Sequence, residues 1–185
     1  MVNPILVIIG INLVIFILVR VSSGLVYDLA LHSSFGDFLS HPWGLFTSMF
    51  VHYEMFHLFA NMLTLYFFGS FLIRLVGEKW FWIIYIGGGL LGNALFVLMT
   101  LNALAIGASG AVFALAGTLV ILAPRLKVFI FPIPAPVPLW IAVIGGFLLM
   151  SFFPDVAWQA HLGGMLFGLA IGYYLSRRRG RRFYF

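Results

Sequence analysis

Apolar residues run through this chain in six long blocks, and short stretches that carry most of the polar residues separate the blocks. About 20 mostly apolar residues make one helical crossing of a hydrocarbon layer that is about 30 Å thick. The blocks lack the alternating ten-residue pattern that is typical of membrane β-barrels. We therefore predict an all-α bundle of six membrane-spanning helices that forms a single domain over residues 1–185. The predicted spans are residues 4–19, 55–76, 80–101, 105–123, 138–153 and 157–176.

The fifth block differs from the others because its 16 residues rise only about 24 Å as a helix. Prolines at positions 132, 134, 136 and 138 precede it or begin it. Since proline lacks an N–H and restricts the residue before it, the stretch 132–138 is predicted to be non-helical. Pro138 fits a first helical turn, whereas Gly145 and Gly146 weaken the middle of the helix. We expect this helix to be the element that moves.

The basic residues predict the orientation of the bundle. With the N-terminus in the cytoplasm, nine of the ten Lys and Arg residues fall on the cytoplasmic side, and only Arg20 falls outside. Five of the nine lie in a basic tail, residues 177–185. Because cytoplasmic loops carry an excess of Lys and Arg, we predict that both termini are cytoplasmic.

The longest connection is an external segment of 35 residues, 20–54, which contains too many Leu, Phe and Trp residues to be a solvated tether. We predict a structured loop in the outer interface, with Trp43 at the depth of the lipid headgroups. An ordinary interfacial anchor fits the same composition.

Composition excludes other classes of protein. The chain is 63% hydrophobic and only 8% charged, whereas a soluble domain has about 25% charged residues. It contains no cysteine, which excludes disulfides, thiolate metal sites and a cysteine nucleophile. The net charge of +5 is explained by the basic tail, so we predict the lipid bilayer and no nucleic acid as a partner.

Four polar residues lie close to the start of three spans. His57 and Asn61 are four residues apart and share one face of the second span. Ser109 lies within the first two turns of the fourth span, and His161 lies within the first two turns of the sixth. These spans run in the same direction in the predicted topology, so all four residues lie about 5–10 Å below the outer boundary. Polar groups inside spans are rare and mark functional sites.

Each of these signals also has a purely structural interpretation. Gly-x-Ser-Gly at 107–110 is typical of helix packing, and His57 and Asn61 fit interhelical hydrogen bonds of about 0.6 kcal/mol. A metal site is disfavoured, because His52 and His57 lack the His-Glu-x-x-His spacing and a separation of five residues directs helical side chains to different faces. We predict no metal and no cofactor.

Together, the four residues have a chemical logic. A serine beside a neutral imidazole is an activated nucleophile, with the imidazole as base and then as acid. Gly163, Gly164 and Gly168 give the sixth span a thin face, which would bring His161 within hydrogen-bond reach of Ser109.

The remaining polar groups complete this hypothesis. Glycines on both sides of Ser109, Gly107 and Gly110, leave its N–H free at the helix start. His57 and Asn61 would join that N–H as donors to a developing oxyanion. Asp155 is the only nearby carboxylate and lies in a loop, so we favour a Ser–His dyad.

Four motifs resemble those of the rhomboid family of intramembrane serine proteases, in the family's order and on its helices. They are Phe46-Thr-Ser-Met-Phe-Val-His52, His57-Leu-Phe-Ala-Asn61, Gly107-Ala-Ser-Gly110 and Ala160-His-Leu-Gly-Gly164. The resemblance implies Ser109 as the nucleophile, His161 as the general base, and His57 and Asn61 in the oxyanion hole. It also implies that His52 assists water retention or structure near the site.

Two positions depart from the family pattern. Trp43 is followed by Gly44 where the family commonly has Arg, so an arginine anchor of the loop is in doubt. Phe113 stands where the family often has a Tyr whose ring stacks on the catalytic histidine. Neither departure removes a catalytic group.

The resemblance implies a serine endopeptidase that hydrolyses peptide bonds in or near transmembrane segments of single-span membrane-protein substrates. The alternative is a catalytically silent rhomboid-like factor that binds or escorts membrane proteins. A small channel or proton-coupled transporter would need acidic residues at mid-span and repeat symmetry, which the spans lack. We expect a multi-pass protein in the cell membrane of a prokaryote, with its active site towards the external face.

Overall fold

A computed structural model describes residues 3–130 and 134–179, and the described chain is mostly helical. Pro132 and residues 180–185 of the basic tail, which entered two of the predictions, lie outside the described residues. The elements in chain order are α1 (Pro4–Val21), α2 (Gly24–Leu29), β1 (Leu31–His32), α3 (Phe35–Ser40), α4 (Gly44–Thr47), a 3₁₀ turn (Ser48–Phe50), α5 (Met55–Val76), α6 (Glu78–Met99), β2 (Leu104–Ala105), α7 (Ser109–Leu122), β3 (Lys127–Val128), β4 (Val137–Pro138), α8 (Leu139–Ser151) and α9 (Trp158–Arg179).

Each of the six predicted spans coincides with one helix: α1, α5, α6, α7, α8 and α9. Within the described residues, three of them, α1, α5 and α6, are long and apolar enough to cross a membrane. Helices α7 and α8 are apolar but have only 14 and 13 residues, so each rises about 20 Å. The structure thus establishes three candidate spans by length and composition.

Helix α7 is the centre of the bundle and packs against α5, α6, α8 and α9. Its sequence is apolar and small-residue-rich on every side, which is the pattern of a fully surrounded helix. Gly164 and Gly168 of α9 meet the backbone of α7 at Gly110 and Ala114, as the thin face predicted. Gly163 was expected on the same face, but it packs on α6 at Gly92 because neighbouring residues of a helix point about 100° apart.

The segment 20–54 is structured, as predicted, and contains α2, β1, α3, α4 and the 3₁₀ turn. Its strand β1 pairs antiparallel with β2, with Leu31 opposite Ala105, and this ribbon ties the segment to the loop before α7. Trp43 donates its Nε1–H to the carbonyl of Asp28 over 2.7 Å. A Cβ atom at Gly44 would overlap the carbonyl oxygen of Ala30, so this departure from the family pattern permits a close backbone contact inside the loop.

Two helix starts differ from the prediction. The fourth span was expected to begin at residue 105, but α7 begins at Ser109 because residues 104–105 form β2 and Gly107 has a φ of +119°. Pro138 was expected inside the first turn of the fifth span, but it caps α8 from outside with an extended ψ of 135°. Its strand β4 pairs with β3, which leaves the helix to begin at Leu139.

Helix α8 lies at the periphery of the bundle and is the least buried of its long helices. Only Leu139 and Val143 are buried along it. Cβ atoms added at Gly145 and Gly146 would meet open space, so these glycines serve no close contact within the described structure. The fold therefore anchors α8 mainly through its first turn and its contact with α7.

Candidate active site

Ser109 is the first residue of α7, at the end of a loop that other segments hold in place. Gly107 donates its N–H to the carbonyl of Ser48 over 2.9 Å. A Cβ atom at Gly107 would lie 2.7 Å from Cε1 of His57, and its φ of +119° strains any other residue. The chain therefore turns sharply beside the His57 ring and enters α7 at Ser109. The first amide groups of α7 have no acceptor within the helix, and its dipole makes this end partly positive.

The side chains of Ser109 and His161 meet across the contact of α7 with α9. Nε2 of His161 lies 2.7 Å from Oγ of Ser109. The imidazole is only 5% exposed, and its Nδ1 has no hydrogen-bond partner within residues 3–130 and 134–179. Asp155 lies at an exposed position of the loop before α9. The geometry is that of a two-residue pair without an orienting carboxylate.

An aromatic ring covers one face of this imidazole. The ring of Phe113, one turn after Ser109 in α7, stacks on His161 with centroids 4.7 Å apart and an angle of 27° between the planes. The phenylalanine thus provides the stacking surface that the family often takes from tyrosine. The ring of Phe113 also meets the ring of Phe147 in α8, at 6.3 Å and 83°.

The side-chain amide of Asn61 is held by a hydrogen bond within its own helix. It is 7% exposed, and its Nδ2 donates to the carbonyl of His57, one turn earlier in α5, over 3.0 Å. The amide has a second N–H, which is the donor left for a ligand. The two residues share one side of α5, as their spacing predicted.

The rings of His52 and His57 are in contact, with centroids 4.8 Å apart and an angle of 65°. The expectation that they face different directions was wrong, because His52 precedes α5 and helical spacing does not apply to it. Nε2 of His52 accepts the N–H of Ala108 over 3.3 Å. Burial, with a smaller effect of the neighbouring His57, lowers the pKa of His52 from 6.5 to about 3 and keeps this acceptor neutral.

Sequence reasoning missed one polar link behind the site. Nδ2 of Asn93 in α6 donates to the carbonyl of Leu45 over 2.8 Å and to Oγ of Ser48 over 2.9 Å. Ser48 in turn holds Gly107, so α6 supports the loop before the serine. The available signal was a lone asparagine within the apolar block 80–101, next to the glycine-rich run 87–92, because a polar side chain inside such a block needs a hydrogen-bond partner.

Metal binding finds no support in the described part of the chain, where no three His, Cys, Asp or Glu side chains come together. What the arrangement can do chemically follows from the hydroxyl and the imidazole. A neutral imidazole at hydrogen-bond distance can take the proton of a serine hydroxyl, and free amides at a helix start can stabilise an oxyanion. Protein nucleophiles of this kind attack acyl carbons.

Comparison with known proteins gives one consistent family. The family model described as the Rhomboid domain matches residues 39–178. The mitochondrial Rhomboid protein 1 of Saccharomyces cerevisiae is 30% identical over 153 residues, which are 76% of this chain and 44% of that protein. The putative rhomboid protease YdcA of Bacillus subtilis is 28% identical, over 76% of this chain and 71% of its own length.

A third relative is the mitochondrial presenilin-associated rhomboid-like protein of Mus musculus, which is 32% identical over 66% of this chain and 35% of its own length. The chain thus spans less than half of the yeast and mouse proteins. Both carry mitochondrial names, so the expectation of the cell membrane of a prokaryote is wrong.

Proposed function

The chain belongs to the rhomboid family, and from this premise we propose that it is a serine endopeptidase that cleaves membrane-protein substrates in or near their transmembrane segments. The family includes serine proteases and acts on membrane proteins. The observation that carries the proposal is the 2.7 Å contact between Oγ of Ser109 and Nε2 of His161. The imidazole of His161 is buried against the ring of Phe113, which keeps the pair together and partly shielded from water.

The proposed reaction is an acyl transfer in two halves. Oγ of Ser109 attacks the carbonyl carbon of the scissile bond while its proton passes to Nε2 of His161. The tetrahedral intermediate collapses, the C–N bond breaks, and His161 gives the proton to the leaving amine. Water then attacks the acyl-serine, with His161 again as base, and releases the new carboxyl end and the free serine.

Negative charge on the carbonyl oxygen needs donors at the start of α7. We assign this role to the N–H of Ser109, to the second N–H of Asn61 and to the ring of His57. The close approach of His57 to Gly107 supports its part, since the ring lies beside the loop that leads to the nucleophile. Gly107, Gly110, Gly164, Phe113 and His52 support the site through the contacts described above.

The proposed arrangement in the membrane is a single domain with six spans, substrates in the lipid around it, and no cofactor. Ser109, His161 and His57 all lie in the first turns of their helices, so they meet at one end of the bundle. Both termini lie on the opposite side, with most of the basic residues. In this arrangement the site lies inside the hydrocarbon layer rather than at its surface, and the short rise of α7, about 20 Å, supports that depth.

A fluorophosphonate probe tests the proposal, because it reacts with the hydroxyl of an activated serine. The wild-type chain in detergent is expected to be labelled at Ser109, and Ser109→Ala and His161→Ala are expected not to be labelled. The matched control is Ser151→Ala, a serine in α8 that bonds to its own helix at Phe147. Labelling of Ser109→Ala to the wild-type extent contradicts the proposal.

The alternative is a silent rhomboid-like protein that binds or escorts membrane proteins. It is favoured only by relatives whose names state no activity, such as the presenilin-associated rhomboid-like protein. A chain of this kind would capture membrane proteins equally well with Ser109→Ala and would cleave none of them. Cleavage of a single-span substrate by the wild type, lost in Ser109→Ala, excludes it.

A further inference from the structure

Two aromatic rings connect helix α8 to the dyad. Phe147, partly buried in the middle of α8, lies edge-on to Phe113 at 6.3 Å and 83°. Phe113 stacks on the imidazole of His161 at 4.7 Å. Phe147 thus connects the least buried of the long helices to the proposed base through one intermediate side chain.

The imidazole depends on such packing for its orientation. A carboxylate or carbonyl that accepts the Nδ1–H usually fixes the tautomer and the ring angle of a catalytic histidine. Nδ1 of His161 is buried and has no such partner in the described structure. Its orientation therefore rests on the Ser109 contact and on the face of Phe113.

Phe113 itself is held from the side of α8. Its own helix determines where the side chain starts, but the angle of its ring depends on the neighbour that it meets edge-on. That neighbour belongs to a helix with two buried residues and open space at Gly145 and Gly146. A shift of α8 would release Phe113 first and His161 second.

We propose that Phe147 is a positioning residue, which sets the angle of the His161 imidazole through the ring of Phe113 and so makes the reactivity of Ser109 depend on the position of α8. This inference rests on the proposed function. It concerns the rate of the serine and not the route by which a substrate enters.

The experiment measures the rate constant of fluorophosphonate labelling at Ser109 per folded molecule, using the full chain in detergent. Phe147→Leu removes the ring and keeps an apolar side chain of similar size, while Phe147→Tyr keeps the ring. The matched control is Phe152→Leu, the same change at a ring that is 86% exposed just after α8. The small probe needs no passage for a transmembrane helix, so an effect on substrate entry leaves its rate unchanged.

Phe147→Leu is expected to lower the labelling rate about two- to tenfold, the factor that the loss of one aromatic pair corresponds to. With a single-span substrate it is expected to lower kcat by a similar factor at unchanged KM. Phe147→Tyr and Phe152→Leu are expected to stay within twofold of the wild type. A Phe147→Leu chain that labels at the wild-type rate per folded molecule, or that changes KM alone, overturns the inference. A wild type that is not labelled at Ser109 overturns the proposed function instead.

Discussion

Gly164 of α9 lies directly on the carbonyl group of Gly110 in α7, so closely that a Cβ atom at position 164 would overlap the carbonyl oxygen. His161 is three residues before Gly164, and Ser109 is the neighbour of Gly110. The backbone contact therefore fixes the separation of the two helices at the level of the dyad. A second contact of this kind, at Gly168 against Ala114, fixes the separation about one turn further along α9.

Replacing Gly164 with alanine is expected to separate the dyad and to destabilise the bundle. Overpacking a tight contact typically costs about 1–3 kcal/mol, and a displacement of α9 lengthens the hydrogen bond between His161 and Ser109. We expect labelling at Ser109 to fall at least tenfold, with a lower melting temperature in detergent.

Gly145→Ala is the matched control for this change, because its added methyl group meets open space in α8. It is expected to keep full labelling and to change stability by no more than about 1 kcal/mol, in the stabilising direction. Equal effects of the two substitutions would show that the helix contact at Gly164 has no special role.

The dyad makes a prediction about non-additivity. Because Ser109 and His161 share one proton in the proposed mechanism, Ser109→Ala and His161→Ala should each abolish cleavage of a single-span substrate, and the double variant should lose little more. Rates of cleavage in reconstituted vesicles check this. Two independent losses that multiply would mean that the residues act in separate steps.

Two asparagines with different surroundings give a second test of the site. Asn61→Ala is expected to lower kcat about 10²–10³-fold, the usual effect of losing one oxyanion donor, with a small change in melting temperature. Asn93→Ala leaves the carbonyl of Leu45 and Oγ of Ser48 without a donor. It is expected to lower the melting temperature, because the unsatisfied groups reduce the free energy of unfolding by about 1–3 kcal/mol. An unchanged kcat in Asn61→Ala would mean that the Asn61 side chain only bonds to His57 and is not an oxyanion donor.

His52 predicts how stability depends on pH. Burial lowers its folded-state pKa to about 3, against 6.5 in the unfolded chain. Between these values the unfolded state binds a proton that the folded state does not, so the free energy of unfolding falls as the pH falls from 6.5 to 3. His52→Gln keeps an acceptor for the N–H of Ala108 and does not titrate, so its melting temperature should fall less over this range. The melting temperatures of the two chains are measured in detergent from pH 4 to 7. Parallel curves of melting temperature against pH would contradict the lowered pKa of His52.

The buried position of the dyad also predicts which substrates are cut. A carbonyl in an intact membrane helix is held in its own hydrogen-bond ladder, and leaving it unsatisfied costs several kcal/mol. Substrate segments rich in Gly, Ala or Ser, or broken by Pro, should therefore be cleaved faster than Leu-rich ones near the dyad's end of the bundle. Mapping cleavage sites by mass spectrometry across a propensity series in one substrate checks this. Rates that do not depend on helix propensity would exclude unwinding as a required step.

The sequence alone was sufficient to locate the six long helices and the side chains of the candidate site. Long apolar blocks determine where helices form, because the backbone N–H and C=O groups of a segment in lipid must find their partners within the protein, as they do in a helix. Ser109 and His161 were recognisable since polar residues at span starts are rare. Helix α5 was predicted to the residue, at 55–76, because its apolar run begins just after Glu54 and ends just before Gly77.

Only the tertiary structure decided how these side chains meet. The pairing of β1 with β2 shortens the fourth predicted helix, and the turn at Gly107 brings His52 against Ala108. Asn93 supports this turn through Ser48, which lies 45 residues from Asn93 in the chain. Such contacts depend on how segments that are distant in the sequence pack against each other. The pattern of apolar and polar residues does not show which residue of one segment will lie opposite which residue of another. The position of Phe147 beside Phe113 is of the same kind, since periodicity places a ring on a helix but does not say which ring of another helix it will touch.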